Sequence, residues 1–206
     1  MLTFKPYTHE TFFGNIPDIE TKTLLDIGAG PYCEFLWGYI NSLNNSKNLW
    51  NKKIEEIEKN TVAIDIKYPK YTLLFPERCI CADANTLPFA DRSFDIVSMG
   101  WLLDYFSEEN KETDNPKINS ILEETNRVLK PEGYLIGDVL LYPNRYLNGL
   151  STIPYILDCT FTYMQQIKGF SNTYEKNGFK MKEKAVGYNK RHIPHWITFY
   201  FIMQKT

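Results

Sequence analysis

No charge of one sign dominates this sequence: 23% of residues are charged, yet the formal net charge is only −2. That balance argues against nucleic acid and anionic membrane surfaces as partners. No run of about 18 apolar residues occurs, so no membrane span is expected. The opening residues, MLTFKPYTHE, lack a basic flank ahead of an apolar stretch, and no secretory signal is expected. Cysteine is sparse. Cys33, Cys79, Cys81 and Cys159 make neither a disulfide framework nor a paired CxxC metal site. Cys79 and Cys81, two apart in an apolar segment, fall on one face of a strand and read as packing residues. Internal repeats and low-complexity linkers are also missing. What remains is a reduced, cytoplasmic, soluble chain of 206 residues, which suits one domain over 1–206 with a sizeable core.

Short apolar runs alternate with amphipathic stretches. KTLLDI, TVAIDI, RCICAD, SFDIVSM and GYLIGDVL read as five strands, and KINSILEETNRVLK as a helix stopped by Pro131 and Gly133. Between the first two strands a polar insertion near 44–60 carries Leu49, Ile54 and Ile57 as its apolar stripe. A helix reaching Asn177, a strand near FKMKEKAV and a last strand WITFYFIMQ complete the chain. This alternation predicts an α/β fold, a doubly wound and mostly parallel sheet with ligands bound outside the carboxyl ends of its strands. The loop between the final two strands is too short for a parallel crossover, so they should form an antiparallel hairpin. If the sixth strand is parallel to the earlier ones, that hairpin brings His192, His195 and Trp196 toward the ligand face.

The stretch LLDIGAGPY carries the first functional signal. An apolar run ends in Asp26 and turns through Gly28 and Gly30. Glycines there let the main chain approach a ligand closely, and a side chain at Gly28 would fill space the ligand needs. A G-x-G alone is a weak signal, and Pro31-Tyr32-Cys33 breaks the G-x-G-x-x-G pattern of dinucleotide sites. Its neighbours strengthen it. Asp65 ends the second strand, where an acid can accept both hydroxyls of a ribose. Asp83 follows the third, where an acid can accept from an exocyclic amine while the N–H of Ala84 meets a ring nitrogen. Each acid alone also fits a turn former or a cap; three consecutive strand ends make the stronger case.

LLDIGAGPY, AIDIKY, CADANTLPFADRSFDIVSMGWLLDYF and ILEETNRVLKPEGYLIGD together resemble the class I S-adenosylmethionine-dependent methyltransferases, most of all the type 11 small-molecule branch. The resemblance covers roughly Leu24 to Asp138. It implies a Rossmann-like, seven-stranded sheet whose last strand is antiparallel, and S-adenosylmethionine as cofactor. It also implies that Asp26, Gly28 and Gly30 surround the methionine moiety, that Asp65 holds the ribose hydroxyls, and that Asp83 and Ala84 face the adenine. Met99 and Gly100 would lie beside the methionine part. Two departures stand out: Tyr32 occupies the place of a frequent third glycine, and the insertion sets Asp65 farther along the chain than the family usually shows.

The sulfonium cofactor is an activated donor, so in-line methyl transfer needs no fixed triad, and none is visible. Candidates for a base or for substrate contact are Asp104 and Tyr105, after the fourth strand, and His192 and His195; His9 is a further histidine ahead of the first strand. For each histidine a surface role competes. Met99-Gly100-Trp101-Leu102 stands where amine methyltransferases of bases carry N-P-P-Y, which again argues against nucleic acid. A segment near 142–170, rich in aromatics from Pro154 to Phe170, takes the substrate-cover position and suggests a small, partly apolar acceptor, although core packing accounts for the same residues. A non-catalytic cofactor- or partner-binding relative of the same fold is the alternative. An aminopropyltransferase would need more acids than Asp104 and Asp138.

Overall fold

The computed structural model describes residues 16–30, 56–57, 59–67, 78–100, 102, 115–141, 165–188 and 197–206. They form one seven-stranded sheet of order β3-β2-β1-β4-β5-β7-β6. The strands are β1 Leu24–Ile27, β2 Thr61–Asp65, β3 Cys79–Cys81, β4 Phe94–Gly100, β5 Leu129–Leu141, β6 Phe179–Tyr188 and β7 Ile197–Lys205. Neighbours from β3 through β5 pair in parallel, while β7 pairs antiparallel with both β5 and β6. All four residues of β1 are buried, as expected of a parallel strand covered on both faces. Because β2 lies on one side of β1 and β4 on the other, the strand order reverses beside β1. Such a switch point leaves a crevice at the carboxyl ends. Ile27 there lies level with Ile64 of β2 and Met99 of β4, so three chains leave the sheet side by side.

Helix α1, Pro116–Val128, starts from an Asn115 cap whose side-chain oxygen accepts from the Lys117 N–H at 2.9 Å, with proline in the first turn. Its buried residues, Ile118, Ile121, Leu122, Thr125 and Val128, follow helical spacing and join the core. The helix stops before Pro131 rather than at it. Leu129 already pairs with Phe94, and Lys130 precedes a proline, which disfavours helical backbone. Pro131 and Gly133 therefore lie inside β5, at an irregularity where Glu132 adopts φ 61°. A second helix, α2, covers 165–176 and sets Tyr174 against Phe179 and Phe201, with ring centroids 6.4 and 4.9 Å apart. Ile167 and Phe170, the aromatic segment's described end, pack with this core, and residues 142–164 of the expected substrate cover lie outside the described residues.

Packing at that centre leaves no room for growth. A Cβ on Gly137 would overlap the Phe201 ring and come within 2.8 Å of the Met99 carbonyl oxygen. Gly137→Ala is expected to destabilise the fold by about 1–3 kcal/mol, the usual cost of overpacking, measured as a lower urea midpoint with an unchanged slope.

Candidate functional site

Past β1 the chain turns through Gly28 and Gly30, both left-handed at φ 69° and 63°. The N–H groups of Gly28 and Ala29 both donate to the Ile64 carbonyl, at 3.0 and 3.1 Å, which ties the turn to β2. Gly30 N–H donates to Asp65 Oδ2 at 3.0 Å, and Lys67 N–H to Asp65 Oδ1 at 3.0 Å. Asp65 thus stands at the end of β2 beside the glycine turn, despite the insertion that separates them in sequence. It is half-buried, and its main-chain oxygen accepts from Ala82 past the end of β3. The two glycines differ in what surrounds them. A Cβ on Gly28 would sit 2.8 Å from Leu102 Cδ1, so its missing side chain makes room for Leu102 rather than for a ligand. A Cβ on Gly30 would meet nothing within 4 Å among the described residues. The open side of the turn is at Gly30.

Asp26 is 1% exposed, at the middle of the sheet. Ser98 Oγ donates to its Oδ1 at 2.6 Å; its Oδ2 is buried with no hydrogen-bond partner among the described residues. Burial pushes the carboxyl up to about 7, against the pull of the Ser98 hydrogen bond, and the charge of Asp65 adds to the rise. Ser98 was not singled out by sequence, although a signal was there. Asp26 lies two residues before Gly28 and Ser98 two before Gly100, and in-register parallel pairing of β1 with β4 makes such positions neighbours.

Asp83 is exposed after β3. Its Oδ1 accepts from the Asn85 N–H and side-chain amide at 2.9 and 2.8 Å, and those bonds hold it below the usual carboxylate range. Ala84 is half-buried beside it. Met99, 1% exposed, belongs to the core, and Gly100 after it is half-buried at the carboxyl end of β4. Cys79 is buried but Cys81 is exposed, its thiol donating to the Ile66 carbonyl at 3.3 Å; only the first is a packing residue. Asp104, Tyr105, His192, His195, His9, Tyr32, Trp196, Cys33 and Cys159 lie outside the described residues. The hairpin's described ends, Tyr188 and Ile197, pair with each other, and Leu141 ends β5 level with them, at the sheet's carboxyl edge. No group of three or more His, Cys, Asp or Glu able to hold a metal ion occurs among the described residues, and no described helix is long and apolar enough to cross a membrane.

The two most specific motifs turn out to be halves of one scaffold. From RVLKPEG, Arg127 donates to the carbonyls of Leu87 and Phe89 at 3.0 and 2.8 Å, and pairs with Asp91 at 2.9 Å and Glu124 at 2.8 Å. Glu124 in turn accepts from the Leu87 N–H at 2.8 Å. Lys130 reaches Asp95 at 2.8 Å, and Asp95 also accepts from the Thr23 hydroxyl at 2.6 Å. The LPFADRSFD stretch that follows Asp83 and Ala84 is thereby fixed to α1 and to the start of β1.

A family model described as a methyltransferase domain matches residues 25–137. No curated protein sequence gives a significant match. Among solved structures, the chain is similar to a SAM-dependent methyltransferase from Methanosarcina mazei, at 18% identity over 95% of this chain and 96% of that one, TM-score 0.61. It is also similar to an S-adenosylmethionine-dependent methyltransferase from Mesorhizobium loti, at 12% identity over 96% and 98%, TM-score 0.59. A third is the trans-methyltransferase CalH in complex with SAH, at 16% identity over 91% and 52%, TM-score 0.54. At such identities these likenesses establish a shared fold.

Proposed function

The chain belongs to the methyltransferase domain family, and from that premise we propose that it transfers a methyl group from S-adenosylmethionine to a small, partly apolar acceptor. When bound, this cofactor supplies a methyl group already activated on sulfur and open to in-line displacement by a nucleophile. The observation that carries the reading is the convergence of three neighbouring strand ends: the glycine turn after β1, Asp65 closing β2, and Asp83 with Ala84 after β3. The residues present fit the cofactor. An orphaned buried oxygen on Asp26 and open space over Gly30 suit an amino-acid moiety at β1. Each Asp65 oxygen holds one main-chain N–H and keeps further acceptor capacity for a ribose hydroxyl. Asp83 and Ala84 would face the adenine, and the main chain of Met99 and Gly100 the methionine part.

Asp104 and Tyr105, beyond β4, and His192 and His195, in the β6–β7 connection, are proposed for the acceptor side. There a base would matter only for an acceptor needing deprotonation. Orientation of acceptor and methyl contributes about 7–11 kcal/mol in well-aligned systems, so the chain's main task is to hold and to exclude water. Asp65→Ala is expected to weaken binding of S-adenosylmethionine roughly 10- to 100-fold, the worth of charged acceptor bonds, and also to lower thermal stability through loss of its bonds from the Gly30 and Lys67 N–H groups. Acceptor-dependent formation of S-adenosylhomocysteine tests the activity. Cofactor binding with no such turnover across small hydroxyl, amine and carbon acceptors would favour a non-catalytic relative.

A further inference from the structure

We propose that Ser98 is a positioning residue of the cofactor site acting through Asp26. Its hydroxyl fixes one carboxyl oxygen and leaves Oδ2 as the acceptor offered to the cationic amino end of the methionine moiety, so that binding is coupled to loss of the Asp26 proton. The inference rests on the reading that the methionine moiety lies at the end of β1.

The geometry is specific. A serine hydroxyl has one proton to give, and here it goes to Asp26 Oδ1 at 2.6 Å. The other oxygen is buried without a partner among the described residues. A buried carboxylate with a single hydrogen bond is costly to ionise, so the ligand-free group holds its proton into the neutral range, as its rise to about 7 reflects. Few described groups act on it. From β2, Ala63 lies level with it and Asp65 opposes its charge; from β4, the neutral Ser98 lies level with it and donates to it. No described cation compensates an ionised Asp26, and an arriving ammonium group would. On binding, the carboxyl O–H bond breaks, the proton passes to buffer, and the carboxylate pairs with the ammonium.

The test is titration calorimetry of the full chain with S-adenosylhomocysteine and with 5′-methylthioadenosine, which lacks the amino-acid end, at pH 6, 7 and 8 in buffers of different ionisation enthalpy. For S-adenosylhomocysteine we expect release of roughly half a proton at pH 7, with affinity climbing toward tenfold per pH unit below 7 and levelling above it. Methylthioadenosine should bind without proton release. Ser98→Ala removes the one hydrogen bond that the Asp26 carboxyl accepts among the described residues, so its affinity plateau should move to higher pH and its proton release at pH 8 should grow. Ser98→Thr keeps the hydroxyl and should restore the original profile; should the alanine variant not fold, the pH dependence of the unaltered chain and its contrast between the two nucleosides carry the test. PH-independent binding of S-adenosylhomocysteine, or a Ser98→Ala loss equal at every pH, would overturn the proposal while leaving the cofactor reading intact. Failure of both nucleosides to bind would instead overturn that reading, and this proposal with it.

Discussion

Between pH 5 and pH 8 the ligand-free protein is expected to lose about 3 kcal/mol of stability through Asp26 alone, and Asp26→Asn is expected to remove that loss. An unfolded aspartate ionises near 3.8, whereas burial in the folded chain holds the Asp26 proton to about 7. In that interval the unfolded state binds fewer protons than the native one, so stability falls as pH rises, by about 1.4 kcal/mol per unit, and levels off above the folded value. The carboxyls held low by hydrogen bonds, Asp83, Asp95 and Glu124, act in the opposite sense and only at acid pH, where their stabilising contribution is lost. An asparagine at 26 can still accept from Ser98 but does not titrate. Urea unfolding of both proteins across the interval gives the answer as a difference, which cancels the three histidines of the chain. Parallel pH profiles would mean that Asp26 is ionised in the native state throughout.

Gly28→Val is expected to lower both thermal stability and cofactor binding, whereas Gly30→Ala should chiefly lower binding. At Gly28 a β-branched residue would have to adopt φ 69°, and its Cβ would press on Leu102 from 2.8 Å. Backbone strain of about 1–3 kcal/mol adds to the displacement of Leu102, and each kcal/mol lowers the melting temperature by roughly 2–4 °C in a chain of this length. Distortion there also disturbs the paired N–H bonds of Gly28 and Ala29 to the Ile64 carbonyl. Gly30 shares the left-handed strain but has no described atom within 4 Å of an added Cβ, so in the proposed site a methyl group takes room from the ligand rather than from the described fold. Calorimetric melting and cofactor titration of the two variants separate these effects. Equal losses of stability with equal losses of affinity would place both glycines in the same structural role.

Much of this architecture was legible because buried parallel strands are continuous apolar runs with abrupt ends. LLDI, AIDI and DIVSMG each run into an acid or a glycine, and those stops form the proposed site. The short β6–β7 loop likewise forces an antiparallel pair. What stayed hidden depends on contacts between residues distant in sequence. The helical periodicity of α1 runs on smoothly past Val128, and only the pairing of Leu129 with Phe94 decides where the helix ends. The charge state of Asp26 depends on Ser98, 72 residues later, and on burial that no local pattern encodes. Cys81 shares a strand face with Cys79, but β3 lies at the sheet's edge, where a shared face does not mean shared burial. Arg127 belongs to a recognisable motif, yet its clamp on Leu87, Phe89 and Asp91 is visible only in three dimensions.

The central claim is that the crevice beside β1 takes S-adenosylmethionine. Its most direct test is calorimetric titration of the purified protein with S-adenosylmethionine, S-adenosylhomocysteine and NAD, alongside Asp65→Ala. Micromolar binding of both sulfur compounds, weakened in the variant and without binding of NAD, is the predicted result. Binding of NAD in their place would contradict the account at its root, because the turn through Gly28 and Gly30 would then be cradling a dinucleotide.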